Sequence, residues 1–320
     1  MAHDGGSRAI IAALGANLGI AATKLVAFLL TSSSSMLAES VHSFADSGNQ
    51  LLLLIGGKRA RREADEAHPF GYGRERYLYA FIVSIVLFSI GGLFALYEAW
   101  HKWADPHPID AWQWVAIAVL LAAIGMEGYS FRTAIHESNR TRGGQSWVQF
   151  IRSAKAPELP VVLLEDAGAL VGLVLALVGV TMTLVTRDGR WDAAGTASIG
   201  VLLVVIAVVL ALETKSLLLG ESATAKDVHA IEAALLGDGV VSVIHLRTLH
   251  LGPEELLVAA KIEVDGAETA AQVALAIDVA EQRVRAAVPI ARVIYLEPDL
   301  RRAAEALTGD AAQAGGTGTV

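Results

Sequence analysis

No cysteine occurs among the 320 residues, and only 18% of them are charged. The first absence excludes disulfide staples and thiolate metal sites, which leaves His, Asp and Glu as the strong metal ligands. The second sets the chain apart from soluble domains, in which about a quarter of residues are charged. Apolar residues make up 54% of the sequence, and the mean hydropathy is +0.49. Basic residues are outnumbered, giving a formal net charge of −8, which argues against nucleic acid as a partner. There is no GxxxxGK[ST] phosphate loop, so no nucleotide-driven step is expected. No cleavable signal peptide is expected either, since Asp4 and Arg8 precede a long apolar run without a small-residue cleavage site.

The apolar residues come in long blocks. They run from about Ile10 to Thr31, Met36 to Gly57, Tyr77 to Trp100, Trp112 to Phe131, Pro160 to Val185 and Ala194 to Leu212. Each is near the ~20 residues a helix needs to cross ~30 Å of hydrocarbon. The reading is an all-α six-helix transmembrane domain over residues 8–215, in contact with a lipid bilayer. An even number of spans puts both termini on one side. The stretches after the second and fourth blocks hold eleven Lys and Arg, including Lys58, Arg59, Arg74 and Arg140. The opposite stretches hold three, namely Lys102, Arg187 and Arg190. The positive-inside rule therefore places both termini in the cytoplasm, with the cell membrane as the expected location. Trp100, Trp103, Trp112 and Trp114 flank the link between the third and fourth blocks and suit an aromatic belt at the outer interface.

After about Ser222 the composition becomes that of a small soluble domain. Asp227 to Leu236 has helical spacing. Val240 to Leu251 and Glu255 to Asp265 read as strands, and in the second Val258, Ala260, Ile262 and Val264 alternate with Ala259, Lys261, Glu263 and Asp265. Glu268 to Val288 is a long amphipathic helix stopped by Pro289, and Arg292 to Leu296 is a last strand. The order αββαβ over residues 222–299 describes a cytoplasmic α+β domain with helices layered on one sheet. Residues 300–320 are rich in Ala, Gly and Thr and are expected to be a disordered tail.

Charged groups inside apolar runs are expensive and mark cavities, partners or ions. In the second run, MLAESVHSFADSGNQLLLLIGG, His42 and Asp46 are four apart and so share one helix face, with Glu39 and Asn49 nearly on it. An imidazole and a carboxylate one turn apart suit zinc. The competing reading is a polar face used only for helix packing. In the fifth run, Glu165 and Asp166 are adjacent and point about 100° apart, so one cavity cannot take both equally. Either could be a ligand, or the pair could cap the helix start. Asn17 in the first run reads as a donor behind the ion's ligands or, the commoner case, as interhelical glue, and Lys24 as snorkelling or pairing with an acid such as Glu39. Glu127 reads as exposed at the end of the fourth run. In the segment EADEAHPFGYGRERY, Asp65 and His68 are three apart, which fits either a loop metal site or a solvated turn.

AESVHSFADSGNQ, HPFGYGRER, LLEDAGALVG and LLLGESA, with six spans and the αββαβ domain, together resemble the cation diffusion facilitator family, the zinc-transporter superfamily of metal/proton antiporters. The resemblance covers about residues 8 to 299. It implies a homodimer that exports a divalent cation against protons through a tetrahedral set on the second and fifth spans. The family pattern of His or Asp, three residues, then Asp is met by His42 and Asp46. In the fifth span Asp166 meets the last position, which favours it over Glu165, whereas Val162 stands where a His or Asp is usual. Water, Glu165 or Asn49 could complete the set, and with one ligand changed, manganese, iron(II) or cobalt stay open beside zinc. In the soluble domain the places of the family's metal ligands fall on Ile244, Lys261, Tyr295 and Glu297. That domain is therefore expected to dimerise by packing without metal, with His245 and His250 as surface histidines.

The chain is thus read as a secondary transporter without a resident cofactor, its cargo Zn2+, or else Mn2+, Fe2+ or Co2+. The rivals are a channel with an acidic filter and a membrane metal sensor that holds the ion without moving it.

Overall fold

The computed structural model describes residues 3–109 and 112–300, with side chains from Asn17 onward. The expectations for Arg8, for the opening residues of the first run and for the tail beyond Leu300 lie outside the described side chains or residues.

A backbone surrounded by hydrocarbon must satisfy its own polar groups, so long apolar runs become helices. The first unit takes the residues up to His68 and Arg74–Leu218. Its long helices are α1 (His3–Thr31), α2 (Ser34–Arg59), α5 (Gln113–Arg142), α7 (Glu158–Thr186) and α8 (Arg190–Leu219). A further rod is made of α3 (Glu75–Val86), a π-helical stretch (Leu87–Leu93) and α4 (Phe94–Ala104). The short α6 (Trp147–Ser153), capped by Ser146, interrupts the segment before α7 and was not expected from the sequence.

Four helices among the described residues are long and apolar enough to cross a membrane: Glu75–Ala104, Gln113–Arg142, Glu158–Thr186 and Arg190–Leu219. The described apolar part of α1, Asn17–Thr31, is shorter. α2 is long enough, but Glu39, His42, Asp46, Lys58 and Arg59 interrupt its apolar run, and it is not among these four. The apolar core runs through Met36, Val83, Leu87, Leu120, Leu173, Ile199, Leu203 and Leu210. Leu29, Trp100, Val185, Val201 and Leu212 point outward and are exposed. So much outward apolar surface is at home in lipid, not in water.

Two local devices set α8 against its neighbours, the first at the start of α2 and the second at the π-helical stretch. At the start of α2, Ser32 takes φ +53 to make a tight turn. The carboxylate of Asp192, in the first turn of α8, then receives Ser33 Oγ at 2.8 Å, Ser34 N at 2.7 Å and Ser35 N at 3.2 Å. A carboxylate on the free N–H groups of a helix start is favoured by both hydrogen bonding and the helix dipole. Ser34 Oγ also meets Thr196 Oγ1 at 2.9 Å. Lower down, the π-helical stretch carries Gly91 and Gly92. A Cβ on Gly92 would lie 2.6 Å from Val204 Cγ2, so only glycine lets α8 approach this closely.

The second unit takes Pro69–Gly73 and the residues from Leu219 on. It holds α9 (Ala225–Leu235), β1 (Ser242–Gly252), β2 (Glu255–Glu263), α10 (Ala270–Ala287) and β3 (Ala291–Asp299). The sheet order is β1-β2-β3, with β1 antiparallel and β3 parallel to β2. The parallel pair needs a crossover, and α10 supplies it, started by a capping box of Thr269 and Gln272. Along β2, Leu256, Val258, Ala260 and Ile262 are buried against Ile231 and Leu235 of α9 and Ala280 and Val284 of α10. The period-2 pattern places this face correctly. His245 is exposed, but His250 is 1% exposed, a correction to its reading as a surface histidine. Its amide donates to Glu221 O, and its ring Nδ1 lies 3.3 Å from Gly252 O.

Candidate metal centre

The polar face of α2 is turned into the helix bundle, where α1, α3, the π-helical stretch and α7 pack against it. His42 is 1% exposed and Glu39 and Asn49 are fully buried. His42 Nδ1 stands 3.4 Å from Asp46 Oδ1, an approach whose alignment does not make a hydrogen bond. Glu39 Oε1, both ring nitrogens of His42, Asp46 Oδ1 and Asn49 Oδ1 are buried without a hydrogen-bond partner. Such atoms are costly, at about 1–3 kcal/mol each. Five of them on one helix face make a surface suited to a cation.

The adjacent acids of α7 part company, as a 100° step per residue requires. Glu165 is 5% exposed and turns to α2, where Asn49 Nδ2 donates to its Oε1 at 2.7 Å. Asp166 turns to α5 and takes Ser130 Oγ at 2.8 Å. Asp46 and Asp166 meet across a cavity of about 30 Å³ that is also lined by Asn17, Ser43, Gln50, Glu127 and Ser130. That is room for a water or a bare ion. Among the described residues, no three His, Asp or Glu side chains stand close enough to hold a metal ion as they are. His42 lies beside the cavity rather than in its lining, with its Nδ1 3.9 Å from where a Cβ on Gly91 would be.

Several sequence readings are resolved here. Asn17 acts as interhelical glue, since its Nδ2 donates to Gln50 Oε1 at 3.2 Å. Lys24 pairs with Glu39 rather than snorkelling. Glu127 is corrected from an exposed end residue to a lining residue of the cavity. The helix continues to Arg142, so position 127 falls in its middle. Sequence inspection missed it because the apolar run stops at Phe131. It missed Asp192 altogether, although four serines ahead of a helix are a cap signal. Val162 packs against the cluster of Ala134, Phe150 and Leu163, away from the cavity. Asp65 and His68 face one another across a turn, with His68 N donating to Asp65 Oδ1 at 2.8 Å and the two side chains 45% and 55% exposed.

Residues 10–219 match the family described as the cation efflux transmembrane domain. The chain is 31% identical to the mitochondrial proton-coupled zinc antiporter SLC30A9 of Xenopus laevis over 247 residues, covering 76% of this chain and 44% of that protein. The Homo sapiens counterpart is 28% identical over 246 residues, covering 76% and 43%. Metal tolerance protein C4 of Arabidopsis thaliana is 28% identical over 263 residues, covering 81% and 57%. The chain thus spans less than half the length of these SLC30A9 proteins. With the match running from α1 to the end of α8, this multi-pass membrane protein belongs to the cation efflux family, a family of transporters and not of enzymes.

Proposed function

We propose that the chain is a secondary transporter that exports a divalent metal cation, zinc first, from the cytoplasm in exchange for protons. The observation that carries this reading is the run of five orphaned polar atoms on α2, with Asp46 of that helix meeting Asp166 across the cavity and Glu165 turned to α2 through Asn49. His42 and Asp46 supply the α2 half of the ion site, and Asp166 and Glu165 the α7 half. The four groups have to draw together on the ion, and alternating access supplies that movement by rocking helices about a site near the membrane midplane. Ligands bind metal only when deprotonated, so loading the site releases protons and emptying it takes them up. Relatives named as proton-coupled zinc antiporters support the same pairing of cargo and counter-ion.

In this reading α1, α2, the α3–α4 rod, α5, α7 and α8 are six spans over residues 8–215. Both termini lie in the cytoplasm, and the membrane is that of the cell. The β-sheet unit over 222–299 is a cytoplasmic dimerisation domain that pairs two copies without metal. Lys261 supports the last point, since its ammonium lies 2.6 Å from Asp299 and 3.4 Å from Glu297, filling with a cation the space between carboxylates. Its hydrogen bond to Asp299 holds it above the ordinary lysine range. Asp65 and His68 form a turn and not a second metal site. A manganese cargo is the second reading, because the small cavity is lined by the oxygens of Asp46, Asp166 and Glu127.

The test is uptake of zinc and of manganese by proteoliposomes holding the full chain, with and without a pH gradient. Zinc uptake that rises with an opposing proton gradient is expected. Uptake indifferent to the gradient would mark a channel, and saturable binding without uptake would mark a sensor.

A further inference from the structure

Lys24 and Glu39 adjoin His42 on the polar face, and neither is assigned as an ion ligand above. Both are fully buried. Lys24 Nζ on α1 donates to Glu39 Oε2 at 3.1 Å and to Ser43 Oγ at 2.7 Å. Glu39 lies three residues before His42 and so on the same face of α2. Its other oxygen, Oε1, is buried without a partner and faces Gly172 of α7, where a Cβ would come within 2.7 Å of it. Ser43, which Lys24 holds, also lines the small cavity with Asp46, Glu127 and Asp166. A buried ammonium is thus fixed next to the groups that would receive a divalent cation. The carboxylate that neutralises it spends one oxygen on it and keeps the other toward the bundle.

We propose that Lys24 is a tethered counter-ion of the ion site: its ammonium repels the divalent cation and holds Glu39 away from it, so that the ion is bound weakly enough to be released. The physical basis is that charges in a partly buried setting act at an effective dielectric near 20, so a fixed unit charge within about 20 Å of a divalent ion shifts its affinity by more than about tenfold. A transporter needs that restraint. An α2 face with Glu39 free would add a carboxylate to the site and hold the ion too long. The role is one of tuning and positioning, since Lys24 does not touch the ion. This inference rests on the reading of His42 and Asp46 as ion ligands.

Zinc titration by calorimetry into the purified full chain tests it, with four variants at these two positions. Lys24→Met removes the repulsion and frees Glu39, so zinc binding tightens by more than about tenfold. Turnover in proteoliposomes then falls together with KM. Glu39→Gln leaves the ammonium uncompensated, so binding weakens by a similar factor. The double variant Lys24→Met with Glu39→Gln removes both charges and returns to near the wild-type affinity. It is also expected to fold, since buried ion pairs tolerate replacement as a pair. Lys24→Arg keeps the charge and the wild-type affinity. Should Lys24→Met alone fail to fold, Glu39→Gln against the double variant gives the same sign test. Loss of affinity in both single variants, or unchanged affinity in both while Asp46→Ala abolishes binding, overturns this inference and leaves the site assignment standing. A wild-type chain that binds no zinc, or an Asp46→Ala chain that binds it normally, overturns the site assignment and this inference with it.

Discussion

The two polar stretches of α2 are built from similar residues and behave in opposite ways. At its start, Ser33, Ser34 and Ser35 close on the carboxylate of Asp192, and both of its oxygens receive two donors. In its middle, Glu39, His42, Asp46 and Asn49 are buried with atoms left without partners. A satisfied buried network is rigid and specifies one arrangement, whereas an unsatisfied one carries a penalty that only an incoming group removes. One helix thus joins an anchored end to a face of buried polar atoms without hydrogen-bond partners. The difference teaches where to look for function in a polar helix: not at the number of charged residues, but at which of their atoms have no partner.

The comparison breaks most sharply if the two carboxylates are removed in turn. Asp46→Ala deletes a charged group from the unsatisfied face, so transport should fall to background while the melting temperature in detergent holds or rises. Asp192→Ala does the reverse. It strands the first amides of α2 and two serine hydroxyls, and hydrogen bonds to a charged acceptor are worth about 1.5–3 kcal/mol each. A loss of several degrees in melting temperature, with zinc affinity retained in the protein that survives, is the expected result. Wild-type flux from a well-folded Asp46→Ala chain would show that the orphaned face is not the ion's.

A smaller effect is expected from His42→Asp, which keeps a ligand and changes its chemistry. Imidazole suits zinc, and an all-oxygen set suits manganese. Competition between the two metals in the uptake assay should shift toward manganese. An unchanged ranking would place His42 outside the ligand set, in keeping with its position beside the small cavity rather than in its lining.

How much of this was legible in the sequence depends on whether a pattern was local. The alternation in β2 was, because one face of a strand repeats every two residues and the buried set Val258, Ala260 and Ile262 follows directly. So was the parting of Glu165 from Asp166, which the helical step dictates. The pairing of His42 with Asp46 follows from i, i+4 spacing. The partners of the α7 acids were not legible, because Ser130 and Glu127 come from α5 and Asn49 from α2, and no short spacing links them to Glu165 or Asp166. Glu127 was misread for a specific reason: the end of an apolar run was taken for the end of a helix, and α5 continues for another eleven residues to Arg142. His250 was misread because a lone histidine in a strand gives no sign of the chain segment around Glu221 that covers it.

The finest distinction concerns Val162, which stands one turn before Asp166 and where the family resemblance would put a ligand. On spacing alone, a side chain there faces the same cavity as Asp166. The packing disagrees, since Val162 lies with Phe131, Ile135, Ile151 and Leu159 in an apolar cluster around Ala134, Phe150 and Leu163. A histidine placed there enters an apolar pocket without an evident partner, so Val162→His should lower the melting temperature and shift zinc affinity by less than about threefold. Glu165→Gln should do more to affinity and less to stability. The amide can still take the hydrogen bond from Asn49, but one negative charge facing α2 is gone. Calorimetric titration of the two purified variants separates these outcomes. Tightened binding in Val162→His would mean that α7 turns in the loaded state and brings position 162 to the ion. A Glu165→Gln chain with unchanged affinity would leave Asp166 as the only α7 ligand and hand the fourth place to a water in the cavity shared with Glu127.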